Sequence, residues 1–238
     1  MIFASPDELK VWLITAIFLV PAAAIAIPVH ELGHGLAAYW QGDPSPRNRG
    51  YLKPMLRPFI EPYGAFFVLF FNAGWGQRIP VNEQRLRSLR ERLVYAVGGS
   101  LANLLVAGVL GIALRLIVNL GAIPSPVTLQ PLGLLAFAVY AAFFLNLSFA
   151  VFNLLPVPGL DGWRVAEALF RSRYARFFFD VDMRRQQIQG ILLLVVVAAS
   201  WIVHINLLAI VMAPLFQPLS VLLIGQCAVY TSLAPCLL

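Results

Sequence analysis

The pentapeptide HELGH brings two imidazoles and a carboxylate together at His30, Glu31 and His34. On a helix, positions i and i+4 share a face, so His30 and His34 can hold one metal ion, zinc being the usual ion for this pattern. Glu31 sits one step round the helix. From there it can take a proton from an attacking water without itself being a ligand. Gly33 and Gly35 leave room for a substrate backbone or a second helix. The pattern is short, but its setting strengthens it. The chain has three histidines, and two of them form this pair. The three ionisable groups also lie in an apolar segment, where they are costly unless paired or used. The plainer alternative is a histidine pair that hydrogen-bonds between helices.

A catalytic zinc site normally has three protein ligands and an open position. The best candidate for the third is Asp161, in LPVPGLDG. Glu167 and Glu61 are its rivals. Asp161 could also serve as the N-cap of a helix starting near Gly162.

The elements that must carry these residues follow from composition. Hydrophobic residues make up 60% of the chain and charged residues 12%, more apolar sequence than a soluble domain of 238 residues needs. The first apolar segment runs from Leu9 to Trp40, with kinks expected at Pro21 and Pro28. GDPSP ends it, and an irregular or strand-like basic stretch follows. Tyr63 to Trp75 is too short to cross as a helix and has basic flanks, so it reads as re-entrant or interfacial. Clear spans run from Leu93 to Leu120, Pro131 to Leu155 and Ile188 to Met212, and the tail with Pro214 and Pro218 offers a short extra helix. The expected fold is therefore an all-α polytopic membrane protein. It has about four clear transmembrane helices, a re-entrant segment and a short C-terminal helix, in one domain over 1–238.

Basic residues concentrate at 41–60, 76–92 and 160–187, whereas 119–130 carries no charge. The positive-inside rule puts the three basic loops in the cytoplasm. HELGH and Asp161 then reach the same cytoplasmic side from distant segments. The net charge of +6 is explained by these loops beside anionic lipid. No nucleic-acid-binding signature accompanies it. Cys227 and Cys236 form no metal or disulfide framework. The first apolar run leads directly into HELGH and is read as retained, not as a cleaved signal peptide.

HELGH followed far along by NLLPVPGLDG resembles the site-2 protease family of intramembrane metalloproteases. GDPSPRNRGYLKP, FNAGWGQRIPVN and GGSLANLL resemble intermediate stretches of that family, in order, over roughly residues 25–170. Ser100 stands where the family usually has Pro. Lys53-Pro54 and Glu61-Pro62 stand where it often has Asn-Pro and Asp-Pro. No stretch resembles a PDZ domain. The resemblance implies one zinc ion on His30, His34 and Asp161, with Glu31 as general base. It makes Asn153 a candidate near the reacting carbonyl, where a side-chain amide can donate to a developing oxyanion. The bland readings are a polar glue or cap residue for Asn153 and simple helix packing for Asn103. His204 and Asn206 read as interhelical hydrogen-bonding residues within the last span.

The expected activity is hydrolysis of a peptide bond in a transmembrane-helix substrate within a prokaryotic plasma membrane, close to the cytoplasmic side. The alternatives are a silent scaffold or an ion or zinc transporter that keeps the metal site.

Overall fold

A computed structural model describes residues 6–52, 68, 76–122 and 130–225, with the side chains of residues 6–12 left aside. Within these, the chain forms α1 (Pro6–Trp40), the single turn α2 (Ser45–Asn48), a 3-10 turn (Glu83–Arg85), α3 (Leu89–Asn119) and α4 (Pro131–Asn153). It continues with α5 (Asp161–Phe170), α6 (Ala175–Met183), α7 (Arg185–Ile202) and α8 (Leu207–Ile224). No strand occurs among the described residues. The expected re-entrant segment at 63–75, Glu61 and most of the expected strand-like stretch lie outside them, apart from Val68, which is buried in the core.

Five described helices are long and apolar enough to cross a membrane: α1 from Leu13, α3, α4, α7 and α8. The sequence reading had four, because it ran one span from Ile188 to Met212. The helix instead stops at Ile202, and His204 adopts a left-handed φ of 57°. The Asn206 side chain then accepts from the backbone N–H of Ala209 at 2.9 Å and caps α8. Asn206 therefore satisfies the orphan donors of a new helix rather than bridging two helices within a span. The tail expected to form a short helix is a full-length span that contains Pro214 and Pro218.

The core is the trio α1, α3 and α4, which share the most extensive contacts. Ala22, Ala23, Ala26 and Ile27 of α1 meet Ala141, Leu145 and Phe149 of α4 in a buried cluster. Small residues suit this packing, because lipid provides no hydrophobic drive between helices and close approach supplies the attraction instead. At the crossing of α1 and α3 the backbones nearly touch. A Cβ on Gly33 would lie 2.4 Å from the Gly98 carbonyl oxygen and 2.6 Å from the Ala102 Cβ. By contrast, no residue of α7 is buried.

Pro21 and Pro28 both fall inside α1, which nonetheless runs on through HELGH as helix. The helix ends where GDPSP was expected to end it, with Gly42 at φ 95°. Buried Asp43 fixes the chain beyond. One carboxylate oxygen accepts from the Ser45 hydroxyl at 2.6 Å and the Ser45 N–H at 3.1 Å, and the other accepts from the Asn82 N–H at 2.8 Å. This joins the loop after α1 to the loop before α3. Burial pushes the Asp43 carboxyl up, but these hydrogen bonds and Arg85 outweigh it and hold it below its ordinary value.

Two outcomes follow. Gly33→Ala is expected to destabilise the fold by about 1–3 kcal/mol, read as a lower midpoint of unfolding in mixed detergent micelles. An unchanged midpoint would mean that α1 and α3 do not meet at this glycine. Because Asp43 is depressed, its stabilisation is full above about pH 4 and fades as pH falls through the lowered folded value. Melting of wild type and Asp43→Ala across this range should show the wild-type advantage shrinking toward acid. An advantage that stays constant into acid would remove Asp43 from that role.

Candidate metal centre

HELGH lies on α1 where it crosses α3, and both imidazoles are buried. The His30 Nδ1 lies 2.9 Å from Asn103 Oδ1, and the His34 Nδ1 lies 2.8 Å from the Tyr95 carbonyl oxygen. Both partners can only accept, so each Nδ1 donates and each Nε2 keeps a lone pair. These two Nε2 atoms lie 3.2 Å apart. Asp161 closes the third side, with Oδ1 at 3.0 Å from His34 Nε2 and Oδ2 at 3.4 Å from His30 Nε2.

One ligand-type atom from each of these three buried residues falls within 4.8 Å of the others. The donor set is three electron pairs with no hydrogen between them, an arrangement that a cation stabilises. Two nitrogens and a carboxylate oxygen suit zinc, and hydrogen-bonded Nδ1–H groups are the usual support of zinc-binding imidazoles.

Local sequence explains the convergence. A Cβ on Gly99 would lie 2.5 Å from His34 Nε2 and 2.8 Å from His30 Cε1, so the rings occupy the space that a side chain on α3 would take. Gly162 allows α5 to start against the end of α4, where a Cβ would meet the Leu154 carbonyl oxygen at 2.1 Å. Asp161 opens α5 but does not cap it. The N-cap is Leu160, which makes no side-chain cap bond, and the Asp161 carboxylate instead turns to the histidines and to the Ser100 hydroxyl at 3.0 Å.

Glu31 is buried, and its Oε2 accepts from the Ile79 N–H at 3.2 Å. A cavity of about 720 Å³ is lined by His30, Glu31, His34, Asp161 and Asn153, among others. Asn153 donates to the Phe149 carbonyl at 3.0 Å, one turn back on its own helix. All five residues singled out from the sequence therefore border one space. Glu167 does not join them. It pairs with Arg171, while Arg164 lies 3.9 Å from Glu83 and packs over the Tyr95 ring at 5.0 Å.

Asn103 does more than pack helices. It is fully buried, and besides facing His30 its Nδ2 donates to the Ala26 carbonyl and to Asn146 Oδ1, both at 2.9 Å. Asn146 donates in turn to the Ala142 carbonyl at 2.8 Å. One amide thus joins α1, α3 and α4 behind the histidine. Its signal was an amide in an apolar span, and Asn146 carried the same signal. Ser100, the departure from Pro, supplies a hydroxyl to Asp161.

The sequence profile of peptidase family M50 matches residues 122–203, which include Asn153 and Asp161 but not HELGH. “Putative zinc metalloprotease YwhC” of Bacillus subtilis is 29% identical over 153 residues, covering 64% of this chain and 68% of the relative. “Putative zinc metalloprotease Rip2” of Mycobacterium tuberculosis is 30% identical over 159 residues, covering 64% of this chain and 57% of the relative. The match therefore spans little more than half of Rip2. No solved structure matches the chain.

Removing the Asn103 support should weaken zinc binding by about 10–100-fold, as loss of an imidazole's hydrogen-bond partner typically does. Competition with a chelating dye, comparing wild type with Asn103→Ala, measures this. Equal affinities would show that Asn103 packs helices without orienting His30.

Proposed function

Since the chain belongs to peptidase family M50, the site-2 proteases, we propose that it is an intramembrane zinc endopeptidase that cleaves transmembrane-helix substrates. It is an integral membrane protein of several spans. One observation carries the reading: HELGH and Asp161 converge beside a cavity within a bundle of membrane-length helices, with Glu31 on the cavity wall.

In this reading His30, His34 and Asp161 hold one zinc ion. When bound, zinc supplies Lewis acidity, making a water nucleophilic near neutral pH and polarising the scissile carbonyl. Glu31 accepts the proton of the attacking water at its carboxylate and later delivers it to the leaving amine. The Ile79 N–H holds one oxygen of Glu31 and so fixes the direction from which the other works. Asn153 has a second amide N–H beyond the one given to Phe149, and it is assigned to the carbonyl oxygen as negative charge develops there. Asn103 and the Tyr95 carbonyl keep both Nε2 lone pairs turned to the metal. Ser100 donates to Oδ2 of Asp161 and so restrains the carboxylate's orientation.

A helical substrate hides its carbonyls in its own hydrogen bonds and must unwind before attack. The site is assigned to the cytoplasmic side of the membrane, because the connections between spans that carry Arg78 and Arg164 are the basic ones.

Purified protein with a model transmembrane peptide tests this reading. Wild type should cleave it. Glu31→Ala should lose at least about a hundredfold in rate, the scale of a general base, while keeping its zinc. Cleavage at the same rate by both proteins would sink the protease reading. Normal zinc content in Asp161→Ala would remove Asp161 from the ligand set.

A further inference from the structure

Three arginines border the same cavity as the metal centre: Arg78 from the loop before α3, Arg164 on α5 and Arg185 at the start of α7. Arg78 donates to the Gly159 carbonyl at 2.6 Å. The Arg185 guanidinium flanks the same residue, 3.0 Å from where a Cβ on Gly159 would lie. Gly159 has a φ of 105°, and a side chain there would also strike Gln189, so this turn leaves its space to the arginines. Arg164 stacks on Tyr95, whose ring in turn packs against His34 at 5.4 Å. One aromatic ring therefore separates the metal centre from the cationic group.

Nearby carboxylates offset this cluster in part: burial pulls Arg164 down, but Tyr95, Glu83, Asp161 and Glu31 together hold it above its ordinary value. Glu83 reaches Arg164 only at 3.9 Å and is largely exposed. Glu31 and Asp161 face it from the metal centre, and both are engaged there. Burial, and after it Arg164 and Arg185, pull Arg78 down from its ordinary value, and Glu31 and Tyr95 offset this only in part. Membrane proteins commonly place Lys and Arg at the cytoplasmic ends of their spans. A substrate with that usual flank would bring a further cation toward three guanidinium groups.

We propose that Arg78, Arg164 and Arg185 form a substrate subsite that selects an acidic side chain within about three residues of the scissile bond, the reach of an extended peptide past one aromatic ring. The proposal rests on the protease reading for its substrate, but the subsite recognises charge whether or not cleavage follows. Guanidinium groups suit a carboxylate because they can donate two parallel hydrogen bonds. An anionic lipid headgroup offers similar chemistry. The peptide is favoured because the arginines line the cavity that Glu31 and both histidines also line.

The test is binding, so it reads out even where no peptide is cut. Full-length zinc-loaded protein in discs of neutral lipid is titrated with transmembrane peptides that differ at one position beside the cleavage region, bearing Glu, Gln or Lys. Wild type should bind the Glu peptide about tenfold more tightly than the Lys peptide, with Gln between. Arg185→Glu should move the preference toward the Lys peptide. No hydrogen bond or ion pair of Arg185 is present among the described residues, so this reversal puts little of the fold at risk. Equal affinities in wild type, or a preference unmoved by Arg185→Glu, would overturn the subsite. So would a Glu preference that vanishes when anionic lipid is added to the discs, because the headgroup would then be the natural occupant. Equal cleavage by wild type and Glu31→Ala, or none by wild type, with this charge preference intact, would instead overturn the protease reading alone.

Discussion

Two hydrogen bonds from histidine Nδ1 atoms to α3 govern the architecture around the metal centre. An imidazole presents one lone pair, and which nitrogen carries it depends on where the other nitrogen's hydrogen goes. Asn103 and the Tyr95 carbonyl fix both hydrogens on the side away from Asp161. For those bonds to form, α1 must lie almost in backbone contact with α3. The close crossing at Gly33 and Gly98 and the missing side chain at Gly99 are what permit it. Asn103 must in turn be held, and the Ala26 carbonyl and Asn146 hold it. The small residues of the bundle and its buried amides thus answer to one requirement, the orientation of two rings.

The polar groups form a connected set for a physical reason. Within an apolar bundle an unpaired polar atom is expensive, so each such group tends to recruit another. Asn103 recruits Asn146, Asn146 the Ala142 carbonyl, and Asp161 the Ser100 hydroxyl. Each bond also crosses or anchors helices that lipid exclusion alone would leave free to slide. At the rim, where the chain turns back on itself, the same task falls to Asp43, which ties two loops that flank HELGH.

Much of this was legible in the residues. HELGH carries its geometry in its spacing, and Asp161 was reachable from loop charge and span depth. The apolar runs disclosed the spans in outline. Other features depended on partners that one-dimensional reading does not supply. Asn103 looked like a packing residue because its role depends on which helix crosses α3 and at what height. Asp161 looked able to cap a helix, and only the fold shows its carboxylate turned inward. Arg164 and Glu167 had helical pairing distance, but Tyr95 and Glu83 drew Arg164 elsewhere. The span from 188 to 212 was misread because continuous hydropathy hides a turn, and Asn206 ends one helix and starts another by capping, a local event that averages do not register.

The groups of the metal centre occur along the chain in the order α1, α3, α4, α5. Synthesis runs in that direction at about 5–20 residues per second. The histidine pair is therefore made first and waits, incomplete, while the helix that orients it is still being built. Asn103 arrives next, then the amide that steadies it, and Asp161 last of all. A nascent chain holds at most a two-nitrogen half-site until α5 arrives. Metal capture therefore waits for α5 but not for the two spans that follow it, and a chain inserted only through α4 carries no complete centre with which to act on its neighbours.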